Sequence, residues 1–147
     1  SADIAVGQAT ATGTEQAAVM VGHLDLPNGR VWLSGNENKR EPRWGQLTAW
    51  GIDRIKRRLV VVGHDPNTPL VTDATASRNA RQASVCNAIA EILTHAGLRS
   101  DPGVRPGSLP AWAGRQVFNT TGRIEEAAHA LGVRSLDRAA DIIGWDW

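Results

Sequence analysis

Two groups of side chains in this chain have the types and spacing to grip a polyanion. Lys39, Arg40 and Arg43 are three cations within one short stretch. Arg78, Asn79, Arg81 and Gln82 form a second cluster, long enough to reach hydrogen-bonding edges several ångströms away. Cations neutralise phosphate groups and fix register, whereas Arg, Asn and Gln can also pair with base edges. Fourteen of the sixteen basic residues are Arg, whose planar fork suits phosphate and guanine. A GC-rich genome is the alternative source of that excess.

The charge is unevenly placed. The chain carries a formal net charge of +1, but Arg30 to Arg58 holds eight basic and three acidic residues, a net of +5. Thr120 to Trp147 holds three basic and five acidic residues, a net of −2. A basic face on a near-neutral protein fits phosphate-backbone binding. Arg54, Lys56, Arg57 and Arg58 read equally well as the wet face of a helix. Other chemistries are poorly supplied. Cys86 is the single cysteine, so no internal disulfide forms, and His23, His64, His95 and His129 do not cluster in sequence. No cofactor or metal is expected. There is no tyrosine.

The elements that must position these residues follow from patterning. With 147 residues and 41% hydrophobic content, the chain reads as one domain over 1–147, as a whole or as part of a longer chain. No apolar run is long enough to span a bilayer and no signal peptide is visible, so a cytoplasmic, nucleoid-associated place is expected. Residues 1–13 are small and patternless and read as a loosely ordered arm. A short helix begins near Thr14, its candidate cap. His23 to Leu33 is a hairpin signal around Pro27-Asn28-Gly29, and a third strand is expected near Glu41 to Trp44. Leu47 to Leu59 reads as an amphipathic helix with Val60-Val61-Val62 ending at Gly63, and Ser77 to His95 as a second helix. After a Pro/Gly-rich connector, Ser108 opens a helix with Pro110 in its first turn. Ile124 to Leu131, closed by Gly132, and Leu136 to Ile143, capped by Ser135, complete the chain. The last pair also fits a helix-turn-helix, with Arg134 and Arg138 on its second helix, although Asp137 and Asp141 beside them would repel phosphate. A purely structural antiparallel pair explains that pattern at least as well. Trp32, Trp50 and Trp112 fall at apolar periodic positions and read as core, and Trp44 reads as packed beneath the sheet.

Several motifs stand in a telling order. Lys39 lies between the expected second and third strands. Pro106-Gly107-Ser108-Leu109-Pro110 heads a helix, and Leu131-Gly132-Val133-Arg134-Ser135-Leu136 follows it. This order resembles the tyrosine recombinase (phage integrase) catalytic domain over most of the chain. The resemblance implies an α+β, mostly helical fold, with a small three-stranded antiparallel sheet packed on a helical bundle. It matches Lys39 to the family's sheet lysine, and Ser108-Leu109 to the middle of Pro-His-Ser-Leu-Arg-His. It matches Leu131-Gly132 to the family's Leu-Gly-His turn. The departures fall on the catalytic positions: Thr12 for the first Arg, Gly107 for the His, Pro110 for the second Arg, Val133 for the following His or Trp, and Ile142 or Ile143 near the nucleophilic Tyr. Recombinase chemistry needs cations around the pentavalent phosphorus and a Tyr oxygen to attack it. The resemblance therefore implies a double-stranded-DNA-binding relative without catalysis, a transcriptional regulator or architectural factor. Its contacts would be Lys39, Arg40, Arg43, Arg78, Asn79, Arg81, Gln82, Arg115 and Arg134. Two alternatives stand beside it. One is an interaction module that assembles, as a homo-oligomer, through the Trp145–Trp147 segment. The other is a recombinase completed by residues supplied elsewhere.

Overall fold

The computed structural model describes residues 2–37, 39–71 and 108–145. Nine named elements position the candidate site. They are helices α1 (Ala2–Gly7) and α2 (Gly13–Ala18), strands β1 (Leu24–Asp25), β2 (Arg30–Leu33) and β3 (Arg43–Gln46), and helices α3 (Ala49–Val62), α4 (Ser108–Thr121), α5 (Ile124–Leu131) and α6 (Leu136–Ile143). The expected helix over 77–95, with Arg78, Asn79, Arg81 and Gln82, lies outside the described residues, as do Gly107 and Trp147.

The strands form one antiparallel sheet in the order β1-β2-β3. Gly29, in the left-handed conformation (φ 64°), closes the Leu26–Asn28 turn between β1 and β2. Register pairs Val31 with Gly45 and Leu33 with Arg43 on the inner face, and Trp32 with Trp44 on the outer face. On that outer face the two indoles meet edge to face at 5.2 Å, and the Arg30 guanidinium lies 4.0 Å over the Trp44 ring. Trp44 is thus on the solvent side, not beneath the sheet. Trp50 and Trp112 are also exposed rather than core.

Two apolar cores result. The first joins Val6 of α1, Val19, Val31 and Leu33 of β2, and Ile55 and Leu59 of α3. The second is built from α5 and α6, with Ile124, Leu131, Val133 and Ile143 at its centre and Phe118 and Trp145 against it. Burying one such aliphatic side chain stabilises by roughly 1.5–3 kcal/mol. Residues 2–7 are part of the first core: α1 packs on α3, and Ala5 and Val6 are fully buried. The expected loose arm is therefore a structural helix, its Ala and Gly residues allowing close approach where larger side chains would not. Thr12, not Thr14, caps α2: its hydroxyl accepts from Glu15 N–H while the Glu15 carboxylate accepts from Thr12 N–H. The Thr48 hydroxyl accepts from Gly51 N–H to start α3, and the helix runs on through exposed Val60 and Val61 to Gly63. No helix among the described residues is long and apolar enough to cross a membrane.

Candidate nucleic-acid interface

The two cores meet along a polar seam centred on one guanidinium. Arg43 Nε donates to Ala130 O at 2.8 Å, and its Nη1 donates to a Glu15 carboxylate oxygen at 2.6 Å and to Glu41 O at 3.0 Å. Nη2 donates to the other Glu15 oxygen at 3.1 Å and to Thr10 O at 3.1 Å. The side chains of Arg43 and Glu15 are 4% and 0% exposed. Thr10 holds a left-handed backbone (φ 78°), rare for a β-branched residue, and its hydroxyl donates to Ala130 O at 2.6 Å. Gly132 (φ 73°) ends α5 directly over the guanidinium; a Cβ there would lie 2.7 Å from Arg43 Nη1. Arg43 is therefore sealed inside the protein. The expectation that it touches phosphate fails, because all of its donors are already turned inward to acceptors from three chain segments.

On the other side of that turn the surface opens into a cleft of about 230 Å³. One wall is the β2–β3 loop with Glu37, Lys39, Arg40 and Glu41; the other is the α5–α6 turn with Gly132, Val133, Arg134, Ser135 and Arg138. The loop is closed on itself, with Asn36 N–H donating to Arg40 O and Arg40 N–H returning to Asn36 O, both at 2.9 Å. Glu41 N–H donates to Gly132 O at 2.7 Å, which ties the two walls together. The Ser135 hydroxyl caps α6 by accepting from Arg138 N–H at 3.2 Å, which fixes the start of the helix at the cleft.

Among the described residues, four cationic and two acidic side chains line this cleft. Lys39 and Arg138 are exposed and make no ion pair among the described residues. Arg40 is half-buried: Nη1 donates to Lys39 O at 3.2 Å, and Nε is enclosed without a hydrogen-bond partner among the described residues. Burial, then the nearby Arg138 and Arg43 cations, lower the Arg40 pKa from its ordinary value. A concentration of positive charge is suited to an anion that accepts several hydrogen bonds at once, as a phosphate group does. Asp137 and Asp141 are not among the residues that line the cleft.

Of the sequence candidates, the structure brings Lys39, Arg40 and Arg134 together. Arg115 is elsewhere: its Nη1 donates to Ile143 O at 3.0 Å and to Gly144 O at 3.4 Å, capping the end of α6. That sets the Arg115 cation at the C-terminus of α6, where it complements the helix dipole. Arg58 likewise ties α3 to Leu70 O at 2.8 Å, and Arg57 pairs with Asp53. Sequence reasoning misses Arg138 and Glu41 as residues of the cleft. A signal for Arg138 exists, since Arg134 and Arg138 are one helical turn apart flanking a Ser cap. Trp145 packs against Phe118 in the second core with ring centroids 4.8 Å apart, and the rest of the Trp145–Trp147 segment lies outside the described residues. Of the positions that the resemblance set against catalytic ones, Thr12 is a cap, Pro110 and Val133 are buried, and Ile143 is core.

No family model and no curated protein matches this sequence. Among solved structures, the chain is similar to a crystal structure of XerA recombinase with a TM-score of 0.76 and 15% identity. That match covers 99% of this chain and 53% of the other, so the chain spans about half the length of the structure it resembles. The fold is that of a tyrosine recombinase catalytic domain: mostly helical, with a three-stranded antiparallel sheet.

Proposed function

We propose that this chain is a non-catalytic DNA-binding protein on a tyrosine-recombinase-like fold, acting as a transcriptional regulator or accessory architectural factor. The observation that carries this reading is the open cationic cleft formed by Lys39, Arg40, Arg134 and Arg138 at the junction of sheet loop and helix turn. The similar solved structure is named a recombinase, whereas these 147 residues contain no tyrosine. Without a Tyr oxygen in this chain, there is no attacking group for a phosphotyrosine link, but phosphate binding needs only cations and donors.

The test is a titration of a random duplex DNA pool at several salt concentrations, followed by sequencing of the bound fraction. Wild-type binding weakens steeply with salt. Replacing Lys39 and Arg138 together by Ala flattens the log–log salt slope by roughly 2, about 0.9 for each phosphate that is no longer neutralised. Unfolding midpoints stay unchanged, because both side chains are exposed. Absence of wild-type binding at low salt sinks the DNA reading. A covalent adduct trapped on nicked DNA sinks the non-catalytic part.

A further inference from the structure

The cationic cleft already holds an anion of its own. Glu41 stands on the loop wall and its carboxylate accepts from Arg134 Nε across the cleft. The backbone fixes where Glu41 stands. Its N–H donates to Gly132 O at 2.7 Å and its carbonyl accepts from Arg43 Nη1 at 3.0 Å. Both backbone groups are thus held by the seam, and the side chain starts from a set point on the cleft wall. Carboxylate and phosphate compete for the same guanidinium donors with similar geometry.

We propose that Glu41 is a built-in competitor for the phosphate that this cleft takes, so that nucleic acid binds fully only by displacing it from Arg134. The proposal rests on the DNA-binding reading above. Its sharpness comes from a contrast within the cleft. Glu37 lines the same space and carries the same charge, yet forms no ion pair among the described residues. Lys39, Arg40 and Arg138 have no carboxylate partner among the described residues, so an incoming phosphate meets them first. Arg134 joins only once Glu41 leaves. The pair is exposed, 86% on the Arg134 side chain and 45% on Glu41. Exposed pairs are weak, so displacement is within reach of a phosphate and the pair biases binding without locking it. Its effect also fades as salt rises.

The experiment uses the whole chain and a 20-base-pair duplex pool (length chosen as roughly two helical turns), comparing wild type with E41Q, E37Q, R134A and the E41Q/R134A double variant. All of these sites are exposed or half-exposed, and equal unfolding midpoints establish that each variant folds. E41Q binds about three- to tenfold tighter at low salt, and E37Q gains clearly less. R134A weakens wild-type binding less than it weakens E41Q, in which it removes most of the gain. Equal gains from E41Q and E37Q, together with the same R134A loss in both backgrounds, reduce the effect to net charge and overturn the proposal. Absence of wild-type binding at low salt overturns the DNA reading itself and the proposal with it. Binding by wild type without an E41Q gain overturns only the competitor role.

Discussion

Arg40 and Arg43 stand three positions apart on one loop-strand segment, yet they do opposite work. Arg43 is buried in the seam, with every nitrogen donating to a fixed acceptor. Arg40 lines the cleft half-buried, with other cations around it. The first arrangement is complete and binds two cores together. The second is incomplete and invites an anion. The Gly132 turn separates them: its inner side covers the Arg43 guanidinium, and its outer side forms the cleft wall. The same residue type on one short stretch thus divides into a structural and a candidate binding role through burial and the number of available acceptors.

The largest effect belongs to the seam. Arg43→Met leaves the Glu15 carboxylate buried without its cation, and destabilisation by about 3–5 kcal/mol is expected in urea titration. Adding Glu15→Leu recovers only part of that loss, because it removes the unpaired charge but also the acceptor of Thr12 N–H. A cost near zero for Arg43→Met alone would mean that the seam does not hold the cores. A middle-sized effect sharpens the contrast from the other end. Arg115→Ala removes the cap on the α6 carbonyls and costs about 1 kcal/mol, while the salt slope of DNA binding stays unchanged. If that slope flattens instead, Arg115 belongs with the cleft after all.

The smallest effect concerns pH. His23 Nδ1 accepts from Met20 N–H at 3.0 Å, and partial burial lowers its pKa. A lowered folded-state pKa means the fold favours the neutral ring. Its contribution is therefore present above the ordinary value of 6.5 and is lost as pH falls below it through the lowered folded pKa. Thermal melts should drop slightly between about pH 7 and pH 5, and His23→Asn, which accepts the same hydrogen bond without titrating, should flatten that drop.

Much of the frame was legible in the chain. Gly132, Ser135 and Gly144 are local signals that need no tertiary partner, and the bounds of α5 and α6 follow from them. The Pro-Asn-Gly turn placed the hairpin for the same reason. Two things were hidden. Residues 2–7 carry only two larger apolar side chains, Ile4 and Val6, so little periodicity marks a helix whose burial also depends on small residues fitting against α3. The alternation in β3 runs against hydrophobicity, with Arg43 and Gly45 inward and Trp44 and Gln46 outward. Gly45 faces in because a Cβ would meet Ala9 O at 2.6 Å, and this close approach sets the phase of the strand. Arg43 can follow it inward only because Glu15 is waiting, and that carboxylate is 28 residues away in sequence. Of the candidate site, Lys39, Arg40 and Arg134 could be named from residue type and order. The cleft itself required the hydrogen bond between Glu41 and Gly132, which no local pattern announces.

The seam also bears on how the molecule comes apart. Its bonds span 28 residues from Arg43 to Glu15, 87 from Arg43 to Ala130 and 120 from Thr10 to Ala130. Contacts of such separation close only after the local helices and hairpin exist, so they form late on the folding path. Interactions absent from the folding transition state act mainly on the unfolding rate. Loosening Arg43 should therefore leave refolding nearly as fast as before while shortening the lifetime of the folded molecule.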